Sequence, residues 1–381
     1  MTEAVDSVLA GAVERGEVPG VVAVAVNSDG VVYQGASGKA RVADDVEMRV
    51  DSIFRIASMT KALTSAAAMQ LVERGELALD QPAGSVLPEL ADLTVLTDEG
   101  ELRPASRPVT LRDLLTHTSG LAYPFSSTKL ARHAEDARAS GATVRATDLD
   151  RLLVSDPGER WQYGTSTDWA GRLVEAASGL ALDQYMREHL FGPLAMPDTS
   201  FRGYGPEEPR LTSVHARSED GALAEQPVVQ PPPPATFSGG GGLSSTAPDY
   251  AQFLRLMLGD GSLDGARLLG PGSMDALCTN QIGGLVAGKW RTGAPDLAND
   301  VDFSEGGTTG HSLGLLVSSE PSPTGRSAGC LSWAGIFNTY FWVDRARGIA
   351  GATFVQVRPF FDAASLCLRD DFATAVYRSF G

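Results

Sequence analysis

The run Ser52-Ile-Phe-Arg-Ile56 leads without a break into Ala57-Ser-Met-Thr-Lys61, and the residues after Lys61 have the period of a helix. Apolar residues recur at Leu63, Ala66, Ala67, Met69, Leu71 and Val72, and Gly75 supplies a stop. A short buried strand that turns directly into a helix leaves few ways to build the surrounding fold. It also predicts Ser58 at the helix N-terminus, with Lys61 one turn later on the same face. The free N–H groups and partial positive charge of a helix start favour an alkoxide or an oxyanion. An amine three residues on can accept the hydroxyl proton, so one helical turn would hold an activated nucleophile and its base. The plainer alternative is an N-cap serine followed by a solvated lysine. Lysine occurs only at Lys39, Lys61, Lys129 and Lys289, which argues against an accidental lysine at this spacing.

The rest of the chain suggests one sheet built from both ends. Residues 3–16 read as an amphipathic helix ending at Gly16. The strands Val21–Val26 and Val31–Tyr33 flank an Asn27-Ser-Asp-Gly30 hairpin turn. From about 76 to 235, helical segments such as Leu111–Thr116, Thr147–Val154 and Asp168–Ala177 alternate with loops rich in Pro and Gly. Pro231-Pro-Pro-Pro234 reads as a stiff connector, followed by Gly239-Gly-Gly-Gly242 and a helix from Ala247 to Leu258. Strand signals return at Leu313–Ser318, Gly335–Asp344 and Ile349–Val357, before a final helix over 362–379. The expected organisation is a discontinuous α/β sheet domain, 1–75 with 236–381, and a mainly helical insertion, 76–235. A ligand cleft is expected between them.

Composition narrows the function classes. A hydrophobic content of 43% with 20% charged residues describes a soluble globular chain. A net charge of −16 argues against nucleic acid and against anionic membrane surfaces as partners. No apolar stretch reaches the length of a membrane span, and no basic N-region precedes an apolar run. The scattered Cys278, Cys330 and Cys367 fit reduced thiols in the cytoplasm better than a disulfide framework. Histidines and cysteines show no metal-ligand spacing, so neither a metal nor another cofactor is expected. Nothing in the sequence signals an oligomeric state.

Four further strings carry a resemblance. They are Leu114-Leu-Thr-His-Thr-Ser-Gly-Leu121; Tyr163-Gly-Thr165 after Pro157-Gly-Glu-Arg-Trp161; Gly239-Gly-Gly-Gly-Leu-Ser-Ser-Thr-Ala-Pro-Asp249; and Trp333-Ala-Gly335. With Ser58-Met-Thr-Lys61 they run the length of the chain, which resembles the serine β-lactamase and penicillin-binding superfamily. It is most similar to the class C branch and, within it, to the family VIII carboxylesterases; related acyltransferases of polyketide tailoring belong to the same circle. The resemblance implies a class C β-lactamase-like fold, an antiparallel sheet flanked by helices with a helical insertion. It implies cleavage of small carboxylic esters through an acyl-enzyme, with acyl transfer, β-lactam or D-amino-acid peptide cleavage, and plain ligand binding as rivals.

Residue by residue, the resemblance makes Ser58 the acylated nucleophile, Lys61 its base and Tyr163 a phenol that shares the proton. The backbone N–H groups of Ser58 and Ile336 would form the oxyanion hole. Thr165 stands where the family has Asn or Ser. Trp333-Ala-Gly335 replaces the Lys-Thr-Gly of most β-lactamases, removing a cation that holds the β-lactam carboxylate; family VIII esterases also carry a tryptophan there. Trp333, Gly335, Thr165, Tyr123 and Phe125 are the expected substrate contacts. Among Tyr123, Phe125, Trp161, Trp169, Phe337 and Trp342, two or three are expected to line an acyl pocket. His117 reads as the end of a helix and a turn, and His311 as a loop residue. The glycines at 239–242 read as a tight loop at the cleft wall, not a phosphate loop. The G-x-S-x-G pentapeptide of α/β-hydrolases reads as absent, so no nucleophile elbow is expected.

Overall fold

The computed structural model describes residues 2–140, 149–232, 234–304 and 307–381. Its centre is an eight-stranded antiparallel sheet. The N-terminal part contributes β1 (Gly20–Asn27), β2 (Val31–Arg41) and β3 (Val46–Glu47). Two two-residue strands, β4 (Phe54–Arg55) and β5 (Ser244–Ser245), pair with each other outside this sheet. The C-terminal part contributes β6 (Thr309–His311), β7 (Leu316–Ser318), β8 (Leu331–Gly335), β9 (Thr339–Asp344) and β10 (Ile349–Phe354). The strand order is β6-β7-β8-β9-β10-β1-β2-β3, so the two ends of the chain meet where β1 pairs with β10.

β1 explains why both faces of the sheet are covered. Its residues alternate between two cores, as the two-residue period of a strand requires. Val21, Ala23 and Ala25 pack with Val5, Leu9, Phe372 and Val376, from helices α1 (Thr2–Glu14) and the C-terminal Ala363–Phe380. Val22, Val24 and Val26 belong to the larger core on the other face. That face receives α2 (Thr60–Glu73) and, further along the chain, α3 (Leu111–Leu115), α4 (Ser166–Ser178) and α5 (Ala247–Leu258). Every residue of α2 from Thr60 to Leu71 is buried, which explains why its sequence has no polar stripe. Ala62, Ala66, Ala67 and Ala68 favour helix and keep its surface small. The helix ends where Gly75 takes a φ of 73°, a conformation glycine adopts without a Cβ clash.

The middle of the chain differs from expectation in places. Of the helix expected over 147–154, Thr147 and Asp148 lie outside the described residues and Leu149 is helical, but its last part is a strand at Leu152–Leu153, which pairs with Thr94–Leu96. Two buried leucines in sequence fit either element; pairing with a distant edge decided between them. One position of the proline connector, 233, is likewise outside the described residues. The strand expected over Gly335–Asp344 is two strands, β8 and β9, joined by a turn at Asn338, whose φ is 62°. Asn338 is held there by its side chain, which donates to the carbonyls of Val357 and Pro359 and accepts from Tyr340 Oη. Among the described residues no helix is long and apolar enough to cross a membrane. Cys278, Cys330 and Cys367 are free thiols.

Candidate active site

The segment before Ser58 is pinned on both sides. On one side β5 pairs with β4, Ser244 opposite Arg55 and Ser245 opposite Phe54, and Ile56 N–H donates to Leu243 O at 3.1 Å. This zips the glycine loop of 239–242 against the start of α2. On the other side stands β8. A Cβ on Gly335 would sit 2.3 Å from Ile56 O and 2.4 Å from Thr339 Oγ1, so only glycine lets the strand come this close. Between them Ala57 takes a φ of 44°, costly for a residue with a Cβ, and a short 3-10 turn, Ala57–Met59, carries Ser58 into α2. The strained residue sits directly before the serine.

Ser58 Oγ lies 2.6 Å from Tyr163 Oη and 3.2 Å from Lys61 Nζ. Lys61 is fully buried. Its Nζ also donates to Gly240 O at 2.6 Å and reaches Tyr123 Oη at 3.3 Å, and it sits 4.9 Å from the centre of the Tyr163 ring. Tyr163 is brought in by a loop. Its backbone carbonyl accepts from Ser126 Oγ at 2.6 Å, and its ring stacks on Trp290 at 5.0 Å. The structure thus gathers residues 58, 61 and 163 around one hydroxyl.

A narrow cleft opens at Ser58, with about 260 Å³ of space free of atoms, open solvent included. Its other lining residues are Phe125, Tyr163, Trp290, Phe303, Trp333, Ala334, Ile336 and Phe360. Phe125, Trp333 and Ile336, all named from the sequence, are among the lining residues, and Gly335 is not. Trp290, Phe303 and Phe360 were missed; they come from separate segments with no shared motif, and no local signal marks them. Of the six candidate aromatics only Phe125 lines this cleft, where two or three were expected; the other five lie elsewhere, Trp161 in the wall of a neighbouring hollow. Tyr123 directs its hydroxyl to Asp168 Oδ2 (2.7 Å) and Lys61. Trp169 donates to Asp150 O, and Trp342 packs with Phe372 in the core on the far side of the sheet. Phe337 belongs to the β8–β9 turn. Thr165 does not line the cleft either; it precedes α4, buried, with no partner for Oγ1 among the described residues.

A larger hollow, about 1680 Å³ by the same measure, adjoins the cleft across Trp290 and Trp161. Its charged rim is largely compensated. Lys129 pairs with Asp98, Lys289 with Asp302 and Arg291 with Asp300. Among the described residues no cluster of three or more His, Cys, Asp or Glu side chains is placed to hold a metal ion.

Of the two histidines near the site, His117 lies in the turn after a helix, as expected, whereas His311 is not a loop residue. His311 ends strand β6 and His117 follows α3 with a φ of 56°; both are buried, with ring centres 5.5 Å apart. His117 stacks on Trp333 at 6.1 Å and meets the edge of Tyr163 at 5.2 Å, so the pair forms the back wall of the site. Burial lowers the pKa of both, His311 to about 4, despite the Ser312 carbonyl at its Nδ1. The folded value of His311 lies below the unfolded one, so the unfolded chain takes up the proton first. Stability from this residue is complete above pH 6.5 and is lost as pH falls towards 4, by roughly 3 kcal/mol in all. Urea unfolding of the parent and of His311→Asn between pH 7.5 and 4.5 measures the difference. The parent is expected to lose more stability than the variant across that window, and parallel curves would disprove the assignment.

One pattern escaped the sequence reading. Gly310-His-Ser-Leu-Gly314 matches the G-x-S-x-G pentapeptide of a nucleophile elbow. The structure rules out that use. Ser312 is fully buried, its Oγ donates to Leu315 O at 3.3 Å, and the pentapeptide links two strands of a hairpin instead of a strand and a helix.

Comparison with known proteins identifies the family. The family described as Beta-lactamase matches residues 5–373. The Lovastatin esterase of Penicillium rubens is 30% identical over 398 aligned positions, covering 98% of each chain. The acyltransferase calJ of Penicillium decumbens is 31% identical, over 82% of this chain and 78% of its own. Unliganded Simvastatin Synthase (LovD) from Aspergillus terreus superposes with a TM-score of 0.81 at 28% identity, over 99% of this chain and 98% of that one. The relatives thus include both an esterase and acyltransferases. The antiparallel sheet, the serine at the start of a buried helix beneath it, and a match that spans almost every residue have one explanation: this chain belongs to the Beta-lactamase family and has its fold.

Proposed function

We propose that the protein is a serine carboxylesterase that cleaves small carboxylic esters through an acyl-enzyme on Ser58. The observation that carries this reading is the convergence of Lys61 Nζ and Tyr163 Oη on Ser58 Oγ, at 3.2 and 2.6 Å, at the mouth of an apolar cleft. In the amine form, Lys61 takes the hydroxyl proton as Oγ attacks the ester carbonyl. The tetrahedral oxyanion faces the N–H groups of Ser58 and Ile336; Ile336 is the first residue beyond the Gly335–Thr339 end of the β8–β9 ladder. Collapse of the intermediate breaks the C–O bond of the alcohol, which receives its proton through Tyr163 and Lys61. Water then attacks the acyl-enzyme with the same groups in reverse, releasing the acid and restoring Ser58.

Transfer of the acyl group to an alcohol or amine is the second reading. It is favoured by the names of relatives such as calJ, and by a cleft whose walls offer few hydrogen bonds to water, since Phe125, Trp290, Phe303, Trp333 and Phe360 are all aromatic. Intact-protein mass after exposure to esters, thioesters and β-lactams identifies the acyl-enzyme. Product analysis with added alcohol separates the two fates, and an unmodified Ser58 with every acyl donor would reject both.

Trp333 sets the expected substrate preference. Its indole is buried between His117 and Phe303, where a cation would have met a β-lactam carboxylate. A charged hydrogen bond contributes about 1.5–3 kcal/mol, roughly ten- to two-hundred-fold. kcat/KM for short-chain p-nitrophenyl esters is therefore expected at least ~100-fold above that for a chromogenic cephalosporin. An unactivated alkyl ester belongs in the comparison, because aryl esters react easily. Trp333→Lys is expected to narrow the gap, mainly by lowering ester cleavage. A cephalosporin cleaved as fast as both esters would replace this reading with a β-lactamase.

A further inference from the structure

The neighbours of the Lys61 amine differ in hydrogen-bond polarity. Gly240 O, at 2.6 Å, is only an acceptor. Tyr123 Oη, at 3.3 Å, has its own hydrogen committed elsewhere, because it donates to Asp168 Oδ2 at 2.7 Å. Asp168 is anchored in turn: Oδ1 accepts from the Gly240 N–H at 3.0 Å and from the Ser238 hydroxyl at 2.5 Å. Burial first, and the Asp168 charge next, push the Tyr123 phenol well above its ordinary value, so the hydrogen stays on Oη. Towards Lys61, Tyr123 presents only a lone pair. A neutral amine has two N–H donors and one lone pair. With the donors drawn to Gly240 O and Tyr123 Oη, the lone pair is left for the third neighbour, Ser58 Oγ at 3.2 Å.

We propose that Tyr123 and Asp168 are positioning residues that set the rotation of the Lys61 amine so that its lone pair faces the Ser58 hydroxyl. This deepens the reading of Ser58 as nucleophile and Lys61 as base, and rests on it. The glycine loop is part of the device. A Cβ on Gly240 would lie 2.3 Å from Asp168 Oδ2 and 2.7 Å from Tyr123 Oη, so a side chain there would break the pair apart. Other groups that bear on the amine are Tyr163, whose ring it overlies, and His117, kept neutral by burial; Asp150 lies in the field of Asp168 and His311 beside His117.

The test is the rate of Ser58 acylation by p-nitrophenyl acetate, followed against pH. Tyr123→Phe keeps the ring stacked on Phe125, 5.1 Å away, and removes the hydroxyl, so that Lys61 loses an acceptor and Asp168 Oδ2 one donor. It is expected to lower kcat/KM about tenfold with KM little changed, the size of one ordinary hydrogen bond. The acid limb should move to lower pH, because the ammonium form loses an acceptor. Asp168→Asn should be worse, on the order of a hundred-fold. The asparagine oxygen stays with the Gly240 N–H, its amide donates to Tyr123 Oη, and the phenol hydrogen turns onto the Lys61 lone pair. In the Tyr123→Phe background, Asp168→Asn should therefore add little. A mere loop tether would cost the same in both backgrounds and leave the acid limb in place.

The proposal is overturned by Tyr123→Phe within twofold of the parent at every pH, or by equal losses from Asp168→Asn with and without the Tyr123 hydroxyl. Should Asp168→Asn not fold, the rate and acid limb of Tyr123→Phe decide alone. Ser58→Ala separates the two levels. Residual acylation there would reject the reading of the site itself, whereas a dead Ser58→Ala with an indifferent Tyr123→Phe rejects only the positioning role.

Discussion

Ser58→Ala is expected to abolish ester turnover and covalent labelling by a fluorophosphonate together. Removing the nucleophile from a unit of this kind costs on the order of a million-fold in rate. Here the substitution takes away the one oxygen that both Tyr163 Oη and Lys61 Nζ reach. It removes little packing, because Ser58 stands at the mouth of the cleft, so the melting temperature should stay near that of the parent. Site identification by peptide mass is the decisive measurement. Labelling that persists at another serine, Ser312 of the buried pentapeptide above all, would overturn the assignment.

Lys61 and Tyr163 are expected to behave as one unit. Lys61→Met and Tyr163→Phe should each slow acylation by ~100- to 10,000-fold, the range of a general base. The double variant should be little worse than the worse single, because either loss already breaks the same proton path. Methionine is the better replacement for Lys61. It fills a site that is fully buried and leaves two oxygens, Gly240 O and Tyr123 Oη, without the donor they share. Stopped-flow acylation rates, with circular dichroism to confirm folding, measure the coupling. Fully additive losses would mean that the two do not share a proton. The parent rate should also fall as pH is lowered, since the ammonium form of Lys61 has no lone pair to offer; a flat profile down to pH 5 would count against this base.

Legibility followed distance along the chain. Ser58 and Lys61 are three residues apart, and a helix brings that spacing onto one face whatever surrounds it. The alternation of Val21–Val26 and the Asn27–Gly30 turn were readable for the same reason: strand period and turn chemistry are local. The turn is closed by Asn27 Oδ1, which accepts from the N–H groups of Asp29 and Gly30. Tyr163 was legible only through resemblance, because nothing within a hundred residues of Lys61 demands a tyrosine there. Where local signals were ambiguous, long-range pairing overruled them, as at Leu152–Leu153, paired with Thr94–Leu96, and at Asn338, clamped by Val357 and Pro359.

Tyr123 marks the boundary most clearly. As a residue type it fitted an apolar lining, and only its placement shows a hydroxyl shared between Lys61 and Asp168. The walls of the cleft, Trp290, Phe303 and Phe360, are of the same kind: three aromatics from three segments that meet because the sheet and the loops packed against it bring them there. By itself, then, the sequence determined that Ser58 and Lys61 stand one turn apart at the start of a buried helix and that position 333 carries no cation, all carried by short spacings or by the residue itself. The tertiary structure alone decided which oxygen receives which hydrogen around Lys61, and which rings shape the cleft. Hydrogen-bond direction and ring contact depend on ångström-scale approach between segments a hundred or more residues apart, and no local pattern encodes that approach.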